Sequence, residues 1–351
     1  MKKTLSALLV GSMAVFLAAC GGGDNSKGGG TTDDAAAPAE QGEAVTIRAG
    51  IGLNSEHPQF KGLEKFKEIV EEESNGTIQV ELYHSGQLGD DRTMMEALQL
   101  GSQEVTVPST APIANFVPEF AVFDFPFLFP NSEVADAVLD GEVGTKFLDM
   151  LEEQNLVGLA YWENGFRNLT NNERAVATLE DFKGLTIRTM ENEVHLEAFR
   201  ALGANPTPMA FTELFTAMQQ GTVDGQENPN ATIYLEKYYE VQSYLSDTRH
   251  VYSPFVFLMS KPFYDGLTEE QQAIVREAAL EAGKYQRELV RQANEAYITS
   301  LQEEGMTYTE ISDEDRQEMI DAVQPVIEKF SERVGAELVQ EVYDAIEAAQ
   351  Q

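Results

Sequence analysis

Residues 161–230 read YWENGFRNLTNNERAVATLEDFKGLTIRTMENEVHLEAFRALGANPTPMAFTELFTAMQQGTVDGQENPN. Two arginines stand apart in this stretch. Arg167 lies between Phe166 and Asn168, and Arg188 ends the run Leu185-Thr186-Ile187, which reads as a short strand. A guanidinium among apolar residues needs an anionic partner, because an unpaired buried charge is costly. No acid stands in register beside Arg188 on its own strand. Its partner is then expected from outside, as the carboxylate of a small molecule, which the planar arginine fork grips through two parallel hydrogen bonds. The competing explanation is an ordinary ion pair with Glu163, Glu173, Glu191 or Glu193.

On either side of Arg188 the pattern alternates between strand and helix. Val194, Ala198, Ala201 and Leu202 form a helical stripe that Gly203 ends. Asn205-Pro206-Thr207-Pro208 reads as a rigid turn, and Thr212 as the cap of a helix that packs Leu214, Phe215 and Met218. Val223 to Pro229 reads as a short strand and loop. Asn228 there offers an amide to a ligand oxygen, or bonds its own backbone in an Asn-Pro turn.

Upstream, Val45 to Gly52 alternates like a first strand. Pro58 opens a helix with Phe60, Leu63, Phe66, Ile69 and Val70 on one face, ended by Asn75-Gly76. Ile78 to Leu82 is a second strand. Asp90 or Asp91 caps a helix that buries Met94, Met95 and Leu98, and Val105 to Val107 is a third strand. This β-α-β-α-β opening predicts an α/β lobe. Gly50-x-Gly52-x-x-Ser55 falls short of a dinucleotide fingerprint, since its third glycine is missing. Phe120 to Phe129 reads as core strand and turn, Gly144 to Glu153 as a helix, and Leu156 to Tyr161 as the strand that leads into the central stretch.

Downstream, Thr268-Glu269-Glu270-Gln271 is a capping-box start for a proline-free run to Gly305. One helix of that length, on the order of 50 Å, outruns a single lobe and is expected to lie along both, with Gly283 as a candidate bend. Ser312 caps a further helix, and Gly335 separates it from the last one, which ends near Ala349.

The chain opens with MKKTLSALLVGSMAVFLAAC. A basic start and an apolar run too short for a confident membrane span mark residues 1–19 as a signal peptide. Leu17-Ala18-Ala19-Cys20 resembles a bacterial lipoprotein box, which implies cleavage before Cys20 and lipidation of its thiol. With the one cysteine consumed, no disulfide and no thiol nucleophile remain. Residues 20–43 are too rich in Gly, Ser, Thr, Asp and Ala to bury a core and are expected to be a tether. The formal charge is −35 over 351 residues, and loss of the two leader lysines takes it to −37 (−35 minus 2). Such a field disfavours nucleic acid and bare anionic lipid. The four histidines, His57, His84, His195 and His250, lack metal spacing, there is no Gly-x-Ser-x-Gly elbow, and no cofactor is expected.

Several segments together carry a family resemblance. They are Ser74-Asn75-Gly76, Gln87 to Arg92, Gly184-Leu185 with Arg188, Gly203 to Met209, and Val223 to Pro229, with the Arg167, Arg188 and Asn228 spacing and the long late helix. The chain resembles the DctP solute-binding proteins of tripartite ATP-independent periplasmic (TRAP) transporters. The resemblance implies a two-lobed, periplasmic-binding-protein-like α/β fold, hinged around a cleft, with strands crossing between the lobes. Lobe I is expected from 44–164 plus about 253–290, and lobe II from 165–252 plus about 291–351. Arg188 matches the arginine that pairs with the substrate carboxylate. Arg167 matches a second arginine there, Asn228 an amide beside it, and Phe211 an aromatic that packs on the ligand.

Ser109 and Glu191 depart from the sialic-acid binders of the family, which carry an acid and an asparagine at those places. Ala160 to Gly165, with Trp162, and His250 to Pro254 resemble members that bind sugar acids such as diketogulonate. The expected ligand is therefore a sugar acid, a uronate or keto-aldonate, with a C4-dicarboxylate as the alternative. Glu56, His57, Glu191 and His195 are candidates for reading its hydroxyls. The implied role is a monomeric, lipid-anchored receptor outside the cytoplasmic membrane that hands the acid to the small and large TRAP membrane subunits. A secreted sugar-acid hydrolase or lyase is the rival from another class, and a sensor subunit of a signalling kinase uses the same fold and site.

Overall fold

Strand and helix alternate from Val45 onward, as the spacing of apolar residues predicts. The computed structural model describes residues 44–351. The expected leader peptide, Cys20 and tether lie outside the described residues. The chain begins β1 (Val45–Gly50), α1 (Pro58–Glu73), β2 (Ile78–Tyr83), α2 (Asp91–Gln99), β3 (Val105–Thr106), α3 (Thr110–Ile113), α4 (Ser132–Leu139), α5 (Glu142–Met150) and β4 (Leu156–Asn171). It continues through β5 (Thr186–Thr189), α6 (Glu193–Ala201), β6 (Asn205–Pro208), α7 (Phe211–Gln219), β7 (Gly225–Asn228), α8 (Asn230–Leu235) and β8 (Tyr244–Ser260). It ends with α9 (Lys261–Tyr264), α10 (Glu269–Glu303), β9 (Thr307–Thr309), α11 (Asp313–Val334) and α12 (Ala336–Ala349).

The strands make one sheet in the order β2-β1-β3-β8-β4-β7-β5-β6, with β9 beside β8. β4 and β8 pair antiparallel from Leu156 opposite Ser260 to Asn171 opposite Tyr244. A strand of 16 residues spans roughly 50 Å. These two strands therefore carry the chain through both halves of the sheet. Their register slips between Glu163 and Gly165, where Gly165 takes a φ of +114°. That left-handed conformation suits glycine, and it lets β4 run on where Asn164-Gly165 could have ended it.

On one half, α1 and α10 cover a core of Ile47, Leu63, Phe66, Val105, Phe257 and Ala279. On the other, Leu169, Phe182, Ile187 and Phe199 form a second core, beside one of Leu214, Ile233, Leu245 and Leu301. α10 is 35 residues long and opens on the expected capping box. Thr268 accepts from Gln271 N at 3.2 Å, and the Gln271 side chain accepts from Thr268 N at 3.0 Å. Its first part packs on α1 and β4. Further along, Asn294 accepts from Asn230 of α8 and Tyr297 stacks 5.5 Å from Tyr234.

Several expectations change. Residues 118–124 form a 3₁₀-helix rather than a strand, which sets Phe120 and Phe123 three apart on one buried side. Asn205–Pro208 is not a turn but an edge strand parallel to β5, where the lost proline donors face no neighbour. Ala210, not Thr212, precedes the first turn of α7. Gly283 admits the Trp162 indole, since a Cβ there would sit 2.7 Å from two ring atoms. Residues 291–351 do not keep to one half, contrary to the expected lobe II. Met319 and Val323 of α11 join the core of Leu169 and Phe199. Phe330 and then Val342 and Ile346 of α12 join Phe120 and Phe147 instead. Val134, Val138 and Leu139 of α4 need an apolar cover, and α12 supplies it.

Candidate functional site

Where the two halves meet, a cavity of about 60 Å³ is walled from both. That is well above the roughly 10–15 Å³ a single water needs. Asn164 and Arg167 come from β4, Arg188 from β5, Asn228 from β7 and Phe211 from the start of α7. From the other half come Gln59 of α1, Asp91 and Arg92 of α2, and Ser109 after β3.

Arg188 is 2 % exposed. Its Nε and Nη2 donate to the Met209 carbonyl at 2.9 and 2.7 Å, and Nη1 is buried with no partner in the protein. Burial pulls its pKa down to about 10, against the raising effect of Glu227, so it stays charged at neutral pH. Arg167 is different. Its Nε and Nη2 both donate to the Glu227 carboxylate, the second at 2.8 Å, and its Nη1 is also without a partner. Burial would raise the Glu227 carboxyl. The Arg167 charge and the bonds from His250 and Arg167 outweigh that and hold it well below the usual carboxylate range. The Arg167 and Glu227 charges therefore cancel. Arg188 is left with a backbone carbonyl and, on the cavity wall, Asp91. Burial and then Asp90 push the Asp91 carboxyl up to about 7, against the pull of Arg188.

Both unpartnered Nη1 atoms belong to cavity-lining residues. Together they can receive one carboxylate, and Asn228 lines the wall next to them, with its Nδ2 donating to Gln226 Oε1. Phe211 packs against the cores of both halves, and a Cβ built on Gly52 would lie 3.4 Å from its ring.

The structure thus brings together Arg188, Arg167, Asn228, Phe211 and Glu191 on one cavity. Four other candidates do not line it. Trp162 is fully buried in the core, where its Nε1 donates to the Ala279 carbonyl at 2.9 Å and its ring packs on Phe257. An aromatic on the covered face of a central strand is core before it is ligand wall. His57 caps α1: its Nδ1 accepts from Gln59 N at 3.1 Å, and Nε2 lies 3.2 Å from Thr232 Oγ1. Burial lowers its pKa to about 3, so it is neutral and sits behind the Thr232 wall. Glu56 is exposed and does not line the cavity. His195 is buried 3.2 Å from Asp124, which also accepts from Thr110 and Asn192.

Of the acids weighed as partners for the arginines, Glu191 lines the cavity without pairing with either, and two others pair elsewhere. Glu163 pairs with Arg291 at 2.6 Å and Glu193 with Arg333. Glu227 was missed because it lies 60 residues from Arg167, and only the β4–β7 pairing makes them neighbours. Gln59, Asn164 and Asp91 were also passed over as wall residues. Asp91 and Asn164 stand in segments that carried the resemblance, and that was the available signal.

The family model described as bacterial extracellular solute-binding protein, family 7 (DctP) matches residues 49–333. A solute-binding protein of Verminephrobacter eiseniae is 40% identical over 300 residues, 86% of this chain and 89% of that protein. The 2,3-diketo-L-gulonate-binding periplasmic protein YiaO of Escherichia coli is 35% identical over 280 residues, covering 80% and 85%. The sugar acid binding protein DctPAm of Advenella mimigardefordensis, solved with galactonate, superposes with a TM-score of 0.86 at 45% identity, over 88% of this chain and 99% of that one. Other solved relatives hold D-erythronate, β-D-galacturonate, D-glucuronate and succinate.

Proposed function

The chain belongs to the family 7 (DctP) extracellular solute-binding proteins of TRAP transporters, and from that premise we propose that it captures a sugar acid, a uronate or keto-aldonate, through an arginine clamp centred on Arg188. One observation carries this reading: of two buried guanidiniums on the cavity wall, one is neutralised by Glu227 and the other has no paired carboxylate. A ligand carboxylate completes it. Arg167 gives its remaining Nη1, Asn228 an amide, and Phe211 keeps water from one face.

The wall draws on both halves of the sheet, so a ligand that touches both favours a closed arrangement by its differential affinity for it. Residues 44–164 with 253–290 act as one lobe and 165–252 with 291–310 as the other, while α11 and α12 span the two. The closed receptor is what the membrane subunits receive. A lipid on Cys20 holds the protein to the membrane, and Cys20→Ser is expected to release it to the soluble fraction. A C4-dicarboxylate is the second reading, favoured by the likeness to the succinate-bound relative and by Arg92 on the cavity wall.

A thermal-shift panel of uronates, aldonates, keto-sugar acids, sialic acid and C4-dicarboxylates tests the reading. A ligand at about 100 times its dissociation constant adds about 2.7 kcal/mol to the folded state. A sugar acid should raise the melting temperature, and Arg188→Ala should abolish the shift. Arg188→Lys should weaken binding about 10- to 100-fold, because the ammonium lacks the fork. A lysine variant that binds as tightly as the parent removes Arg188 from the clamp.

A further inference from the structure

We propose that Gln59 and Asn164 form a subsite that demands hydrogen-bond donors from the ligand, so that the protein selects a hydroxylated monocarboxylate over a dicarboxylate of the same length. The proposal rests on the reading that Arg188 holds the ligand carboxylate.

Gln59 carries the argument. Its Nε2 donates to the Val107 carbonyl at 2.7 Å. A backbone carbonyl only accepts, so the amide cannot be turned round. Oε1 is then the atom left over, and it is buried with no partner in the protein, on a residue 2 % exposed that lines the cavity. Asn164 adds a second polar atom. One end of its amide lies 3.4 Å from Ser109 Oγ, a hydroxyl that donates or accepts, and the other end is buried and unpartnered on the same cavity wall at 4 % exposure. Buried polar atoms are nearly always paired, and those that are not call for an explanation. Here the cavity has two unpartnered guanidinium donors, one amide oxygen fixed as an acceptor on Gln59, and one unpartnered end of the Asn164 amide.

A ligand that satisfies all four has one carboxylate and at least two hydroxyls, one of which donates to Gln59. A dicarboxylate satisfies the arginines and then brings a second anion to Gln59 Oε1, which can only accept. Asp91 lies on that wall too, and its carboxyl already resists ionisation through burial. The cation at hand, Arg92, is exposed and 3.2 Å from Glu96. Removing the hydroxyls from a ligand leaves buried acceptors unpaired, and such sites reject the poorer analogue strongly.

Calorimetric titration with two length-matched pairs tests this: D-erythronate against succinate, and D-galactonate against adipate. The parent should bind the hydroxylated member of at least one pair about tenfold or more tighter. Gln59→Met and Asn164→Leu, which keep volume and remove the polar atom, should each weaken the hydroxy acid about tenfold and leave the dicarboxylate bound no more weakly, so that the preference narrows. Asn164→Asp keeps an acceptor and should retain the preference. Equal losses for both acids, or a parent that prefers the dicarboxylate, would overturn the subsite. If the apolar variants fail to fold, the parent's preference and Asn164→Asp decide alone. Binding that survives Arg188→Ala sinks the clamp instead, and a parent that binds neither hydroxy acid sinks the subsite.

Discussion

Arg167 and Arg188 are both buried, yet they do different work because only one has a carboxylate at hand. Isolated guanidiniums were readable from the sequence as sites of unpaid electrostatic cost. Which of them is neutralised was not, since Glu227 reaches Arg167 only through the pairing of β4 with β7. The pair is fully buried, with side-chain exposures of 1% and 0%. Breaking such a pair from one side leaves a naked charge, which costs about 3–5 kcal/mol. Glu227→Gln is expected to lower the unfolding free energy by that amount, read as a lower denaturant midpoint at an unchanged slope. A loss under 1 kcal/mol would mean that Arg167 finds another partner. Trp162 shows the opposite limit. Aromatic residues in YWENGF suit a ligand wall and a core equally well, and only the covered face of β4 decides for the core.

At the scale of elements, periodicity and caps read well. α1, α2, α10, α11 and α12 stand where their stripes and Asp90, Thr268 and Ser312 placed them. The misses were elements whose stability is not local. β6 contains two prolines and exists because β5 offers it one edge. β4 continues past Gly165 because β8 holds it on the far side. Gly283 illustrates the same point inside α10. Glycine in a helix normally costs about 1 kcal/mol against alanine, so Gly283→Ala would stabilise a free helix. Here a Cβ would press on the Trp162 indole at 2.7 Å. Overpacking costs about 1–3 kcal/mol and should win, giving a lower melting temperature. A higher one would show that the indole yields freely.

For the whole molecule, two electrostatic effects compete as pH falls. The net charge of −35 repels itself, so protonating surface carboxylates relieves strain on the compact state. Buried His57 acts the other way. Its pKa falls from 6.5 in the open chain to about 3 in the fold. A group with a depressed folded pKa contributes stability that is full above 6.5 and lost as pH falls toward 3. Buried His250, also lowered, adds to that loss, while protonation of Asp91, raised to about 7, opposes it, so the His57 share is the difference between parent and variant below pH 6.5. His57→Asn keeps an oxygen to cap α1 and should flatten that loss in denaturant melts. Parallel pH profiles of parent and variant would place the acid sensitivity elsewhere.

The local terms of this protein were determined by sequence alone: stripes at helical spacing, caps, alternating strands and two arginines in apolar company. Each depends on residues a few positions apart, so the physics is written where it acts. The meaning of the arginines was decided by tertiary structure. A buried charge is neutral or hungry according to what strand register and helix packing set beside it. Those neighbours, Glu227 and Gln59 among them, come from elements that meet only once the sheet is assembled.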